Sequence, residues 1–222
     1  MAGKHPESQW LASLGYAVLQ VNFRGSTGFG KRFLHAGDRE WGAKMQHDLS
    51  DAAAWAAAQG IADPKRVAIF GGSYGGYAAL AGAAFTPDLY RCAVSVVGPS
   101  NLESLIRSIP PYWEPLRRIF DLRVGNIDTE SEFLRSRSPL FSIDKIKTPL
   151  LIAQGANDPR VKQNESEQIV DALKAAGKPV EYLLFPDEGH GFARPENRLR
   201  FYEAAERFLE EHLAAAPAPA RA

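Results

Sequence analysis

Val67-Ala-Ile-Phe-Gly-Gly-Ser-Tyr-Gly-Gly-Tyr-Ala-Ala-Leu80 decides the fold. Val67 to Phe70 are four apolar residues in a row, long enough for a buried strand and too short for a helix. Gly71, Gly72, Gly75 and Gly76 surround Ser73 and Tyr74, and a run of small residues, Tyr77 to Phe85, suits a helix. Strand, sharp glycine turn and helix are the setting of a G-x-S-x-G elbow, here Gly71-Gly72-Ser73-Tyr74-Gly75. Such a turn is strained and holds the serine oxygen at the C-terminal end of the strand, with glycines giving clearance that side chains would block. The plain alternative is a βα turn whose serine caps the helix.

Outward from this stretch the chain alternates. Tyr16 to Asn22, Cys92 to Val97, Pro149 to Gln154 and Val180 to Phe185 are apolar runs that read as buried parallel strands. Lys44 to Gln59, with Ala52, Ala53, Trp55 and Ala56 expected to pack on one side, Val161 to Ala176 and Glu196 to Leu213 read as helices; Gln9 to Leu14 is a shorter one ended by Gly15. This order predicts an α/β fold: a mostly parallel sheet with helices on both faces. One domain, residues 1–213, is expected, followed by an Ala/Pro-rich tail, 214–222, that should be disordered. Pro99 to Ser142 breaks the alternation and reads as short helices and turns over the sheet's C-terminal edge. Its Tyr112 and Trp113 either wall a substrate pocket or form the excursion's own core.

Composition excludes several classes. The 222 residues carry 26 basic and 26 acidic side chains, so no charge excess points to nucleic acid or an anionic membrane. The single cysteine, Cys92, sits in a strand-like run and reads as a buried structural thiol. No stretch is long and apolar enough to span a bilayer and the N-terminus shows no signal core, so a cytoplasmic protein is expected. Phe23 to Gly30 is glycine-rich but lacks the endings of a phosphate loop. No histidine pair has metal-ligand spacing, and neither metal nor cofactor is expected.

A serine nucleophile needs a base, and the base needs an orienting acid. In a parallel sheet these collect at the C-terminal strand ends. Gly155-Ala-Asn-Asp158-Pro-Arg160 follows one strand and Pro186-Asp-Glu-Gly-His190-Gly-Phe192 the next. The order Ser73, Asp158, His190 is that of α/β-hydrolases. His190 would take the serine proton, Asp158 would hold its tautomer, and the backbone N–H of Tyr74 would be an oxyanion donor. Asp158 could otherwise be a turn former before Pro159. Asp187 and Glu188 are nearer His190 in sequence, but their loop is needed to place the histidine itself. Phe192 is a further candidate pocket wall.

With these pieces, Asn22-Phe-Arg-Gly-Ser-Thr-Gly-Phe-Gly30, Gly72-Ser-Tyr-Gly-Gly-Tyr77, Gly155-Ala-Asn-Asp-Pro-Arg-Val161 and Glu188-Gly-His-Gly-Phe192, the chain resembles the catalytic domain of the prolyl oligopeptidase family, most of all its acylaminoacyl-peptidase-like branch. The resemblance implies an α/β-hydrolase serine peptidase acting on short peptides or acylated amino-terminal residues through an acyl-enzyme. It also implies that Arg160 binds a substrate carbonyl, for which a surface ion pair is the alternative. A carboxylesterase on the same fold, or an impaired hydrolase remnant, are the rival functions. Family members carry an N-terminal propeller and a central strand with an oxyanion-shaping loop, and both are expected to lie outside this chain. Tyr16 to Asn22 and the elbow strand would then either face a gap or pair directly, and open edges would invite oligomers.

Overall fold

Four short apolar runs become strands because each finds a hydrogen-bonding neighbour. The computed structural model describes residues 6–109 and 114–214. In chain order these form α1 (Pro6–Ser13), α2 (Lys31–His35), α3 (Lys44–Ala58), β1 (Ala68–Gly72), α4 (Tyr74–Phe85), β2 (Cys92–Val96), α5 (Leu102–Arg107), α6 (Glu114–Arg123), α7 (Ser131–Ser136), a 3₁₀ segment (Pro139–Lys145), β3 (Leu150–Gly155), α8 (Gln163–Ala175), β4 (Val180–Phe185) and α9 (Pro195–Leu213). The sheet order is β1-β2-β3-β4, all parallel, with Ala68 opposite Cys92, Ala93 opposite Leu150 and Leu150 opposite Val180.

Successive strand residues point to opposite faces, and both faces are covered. Ala93, Leu150 and Ile152 pack under Leu80 and Ala83 of α4 and Ile169 and Leu173 of α8. Cys92, Val94, Leu151 and Ala153 pack on the other side against Phe201, Phe208 and Leu209 of α9. Burial pushes the Cys92 thiol up to about 12, so it stays protonated and acts as a small apolar side chain. Helix α4 is buried on every side from Gly76 to Ala84 because a third cluster, Leu102, Leu105, Ile106 and Leu134 of the excursion, sits on Tyr77 and Ala81. That explains its small residues. The excursion after β2 is built of α5, α6, α7 and the 3₁₀ segment, as expected. Tyr112, Trp113 and the tail beyond Ala214 lie outside the described residues.

Tyr16 to Asn22 is a correction: these residues form no strand. Among the described residues no backbone hydrogen bond joins Ala17–Asn22 to any other segment, and Val18 and Leu19 are 37% and 49% exposed. A strand needs a neighbour about 4.8 Å away. Here a slot of about 1210 Å³ separates Tyr16–Val21 from Val67–Gly72. Of the two arrangements expected, the gap is the one found, and the outer edge of β1 is unpaired among the described residues. Trp55 is a second correction. It is 53% exposed and borders the slot, whereas Ala56 is buried. Among the described residues no helix is long and apolar enough to cross a membrane.

Candidate active site

β1 runs straight into Ser73, whose φ of 57° and ψ of −116° place a non-glycine residue in a strained conformation. The turn can be this tight because a Cβ on Gly71 would lie 2.5 Å from the backbone of Gly75. The Ser73 N–H donates to the Val96 carbonyl at 2.8 Å, fixing the elbow to β2. Its side chain does not cap α4, which removes the capping alternative. Tyr74 is the first residue of α4, so its N–H has no acceptor inside the helix and lies at the positive end of the helix dipole.

Two further loops meet the elbow. His190 Nε2 lies 2.8 Å from Ser73 Oγ, and His190 Nδ1 lies 2.7 Å from Asp158 Oδ2. Asp158 is 3% exposed. Burial pushes its carboxyl up, but the His190 ring and the N–H groups of Val161 and Arg160, at 2.9 and 2.8 Å, hold it below the usual carboxylate range. The carboxylate is therefore ionised at neutral pH. It accepts from Nδ1–H and leaves the Nε2 lone pair facing the serine hydroxyl. Asp158 also makes the turn suggested by its place before Pro159, so its two readings coexist. The Asp and His loops touch closely: a Cβ on Gly155 would lie 2.2 Å from the Gly189 carbonyl oxygen.

Beside Ser73 and His190 opens a pocket of about 620 Å³, walled by Trp41, Leu105, Ile109, Leu116 and Phe120, and Arg160 also lines it. No carboxylate lines it among the described residues. Trp41 packs on Tyr74 with ring centroids 4.6 Å apart. Arg160 makes no ion pair among the described residues. Phe192 is placed differently from the expected wall. Its ring packs on Phe185 and Phe201, at 4.4 and 5.3 Å, and borders the slot beside β1.

Sequence reasoning missed the pocket walls Trp41, Leu105, Ile109 and Phe120, which come from segments distant in sequence. It also missed Glu165. This carboxylate is 1% exposed and accepts from the N–H groups of Ser100 and Asn101, both at 3.0 Å, from Gln168 and from the Ser104 hydroxyl. It ties α8 to the start of the excursion that carries the pocket walls. Among the described residues no cluster of three or more His, Cys, Asp or Glu could hold a metal ion.

The sequence profile of the prolyl oligopeptidase family matches residues 4–216. The chain is 57% identical to dipeptidyl aminopeptidase BIII of Pseudoxanthomonas mexicana over 208 residues, which are 93% of this chain and 30% of that protein. It is 32% identical to the acylamino-acid-releasing enzyme of Arabidopsis thaliana, covering 84% of this chain and 25% of that enzyme. Among solved structures, a puromycin-hydrolyzing peptidase of Mycobacterium tuberculosis superposes with a TM-score of 0.83 at 35% identity, over 90% of this chain and 30% of that one. The chain thus spans about a third of the length of the proteins it matches, and its fold is that of the α/β-hydrolases.

Proposed function

The chain belongs to the prolyl oligopeptidase family, and from that premise we propose that it carries the catalytic machinery of a serine peptidase cleaving short peptides or acylated amino-terminal residues. The observation that carries the proposal is the continuous relay Ser73 Oγ, His190, Asp158 at 2.8 and 2.7 Å, ending on a buried ionised carboxylate. Ser73 Oγ attacks the substrate carbonyl carbon while His190 Nε2 takes its proton. The tetrahedral oxyanion is stabilised by the Tyr74 N–H. His190 then protonates the leaving amine, the C–N bond breaks, and an acyl-serine remains. Water, activated by the same histidine, releases the acid.

The apolar pocket next to Ser73 suits an uncharged side chain beside the scissile bond, desolvated against Leu105, Ile109 and Phe120. Arg160 in its lining suits a substrate carbonyl, to which a guanidinium offers several donors. The names of the relatives, a dipeptidyl aminopeptidase and an acylamino-acid-releasing enzyme, support a peptide or acylated substrate. The slot reaching Ser73 and His190 favours a second reading, slow turnover by this chain alone, because it leaves one side of the nucleophile open to water.

A fluorophosphonate probe tests the proposal. Ser73 should be labelled in folded protein, and His190→Ala should abolish labelling. Labelling that survives His190→Ala, or none in folded wild type, refutes the relay. The kcat/KM for an acyl-amino-acid amide relative to a simple aryl ester separates peptidase from esterase.

A further inference from the structure

His190 stands on a short loop between β4 and α9, and something must hold that loop still. Its ring contacts, Nδ1 to Asp158 and Nε2 to Ser73, hold the side chain and not the backbone of the loop. Glu188 supplies the restraint on the backbone. Its carboxylate is 3% exposed and takes the N–H of Ala193 on Oε2 at 2.9 Å. Oε1 takes the N–H of Arg194 and the Asn197 amide, both at 2.9 Å. These donors follow His190 in sequence, so one side chain closes the loop across the histidine. The backbone of Glu188 bonds in the other directions: its carbonyl accepts from the Asn157 N–H at 2.9 Å and its N–H donates to Phe185 at 3.3 Å. Asn157 is next to Asp158. The residue that closes the histidine loop is therefore also the one that fastens it to the aspartate loop.

The charge state agrees with this geometry. Burial pushes the Glu188 carboxyl up, but the Ala193 N–H, the Asn197 amide and the Arg194 N–H hold it below the usual range. An ionised carboxylate is the better acceptor for three N–H donors.

We propose that Glu188 is a positioning residue for the general base: it fixes the imidazole of His190 between Ser73 and Asp158 without touching substrate. The assignment rests on the catalytic reading above. Loosening the loop by a fraction of an ångström stretches two bonds that are now 2.7 and 2.8 Å. Small misplacements of a catalytic group are costly, about a hundredfold in rate for 1 Å.

The test uses the full chain, with the rate of fluorophosphonate labelling at Ser73 and the downfield proton resonance of His190 Nδ1–H as readouts. Glu188→Gln keeps the shape but turns an amide NH₂ toward an N–H donor. It should slow labelling on the order of 10- to 100-fold and shift or broaden the His190 resonance. Phe208→Leu is the control: it weakens the buried face of α9 toward that helix's C-terminal end, and should lower Tm while leaving both readouts unchanged well below the transition. Wild-type labelling and an unmoved resonance in Glu188→Gln overturn the assignment. So does equal slowing in Phe208→Leu at equal loss of Tm, which would make the role merely structural. If Glu188→Gln does not fold, Asn197→Ala removes one of the three donors at a half-buried position. It should slow labelling measurably, and a wild-type rate there also overturns the assignment. Folded wild type that takes no label sinks the catalytic reading itself, and the assignment with it.

Discussion

Replacing Glu165 by Gln should leave the protein as stable as before or more so, whereas Glu165→Ala should damage it badly. The difference follows from the donors around the carboxylate. Oε2 accepts from the Ser100 N–H, the Asn101 N–H and the Gln168 amide, and Oε1 faces only the Ser104 hydroxyl. A glutamine that puts its oxygen at Oε2 keeps all three N–H bonds, and its NH₂ can donate to Ser104, since a hydroxyl accepts as readily as it donates. Alanine instead leaves two backbone N–H groups unpaired at about 1–3 kcal/mol each, about 2–6 kcal/mol together. At roughly 2–4 °C per kcal/mol for a chain of this size, Glu165→Ala should lose on the order of 5–20 °C in Tm, and Glu165→Gln should stay within about 3 °C. The charge adds a pH signature. Burial raises the Glu165 carboxyl above its ordinary value of 4.5, against the pull of its hydrogen bonds. The folded chain then holds that proton more tightly than the unfolded chain. The resulting stability is full below the ordinary value and is lost as pH rises through the raised one. Glutamine has no such titration, so the Tm of Glu165→Gln minus that of wild type should increase with pH above 4.5. Circular-dichroism melts at a series of pH values measure this. A glutamine variant that melts as low as alanine, or a gap that narrows as pH rises, refutes the reasoning.

Asp158→Asn should keep the fold and lower turnover, or the labelling rate, by about 10⁴, because an amide no longer enforces the Nδ1–H tautomer; a loss under tenfold would remove Asp158 from the relay. Gly155→Ala should cut labelling steeply while leaving the sheet formed, since the added carbon meets the Gly189 and Glu188 carbonyl oxygens at 2.2 and 2.7 Å and pushes the histidine loop away; labelling at the wild-type rate would mean that the two loops are not in contact. In hydrogen exchange, the amides of Ala17 to Val21 should exchange far faster than those of Leu151 to Ala153, which bond within the sheet. Equal protection would mean that the slot beside β1 is filled in solution.

How far the sequence is legible depends on how far away the deciding partner lies. The elbow was legible because its constraint is local: Gly71 must face Gly75 four residues on, so the glycine pattern itself records the turn. The three loops of the relay were legible because parallel strands emerge on one edge, and β1, β3 and β4 were each marked by an apolar run. The apolar run Val180–Phe185 coincides with β4. Tyr16 to Asn22 has an equally apolar run and is no strand, because a strand is defined by its neighbour and no neighbour within the described residues reaches it. Trp55 differs from its helical pattern for the same reason: the pattern points it inward, but the inside there is the slot. Phe192 follows His190 by two residues and looked like a pocket wall, yet the core between β4 and α9 takes its ring. The other two buried carboxylates, Glu165 and Glu188, have partners that the sequence does not reveal. Glu165 sits in the first turn of α8, where an acidic residue ordinarily reads as an exposed partner of the helix dipole; its donors come from a loop about 65 residues earlier. Two of the three donors to Glu188 are backbone N–H groups, which every residue but proline has, so little in the side-chain pattern announces it. The residues of the proposed relay are therefore visible through their types, while Glu165 and Glu188 are not, since most of what they grip is backbone.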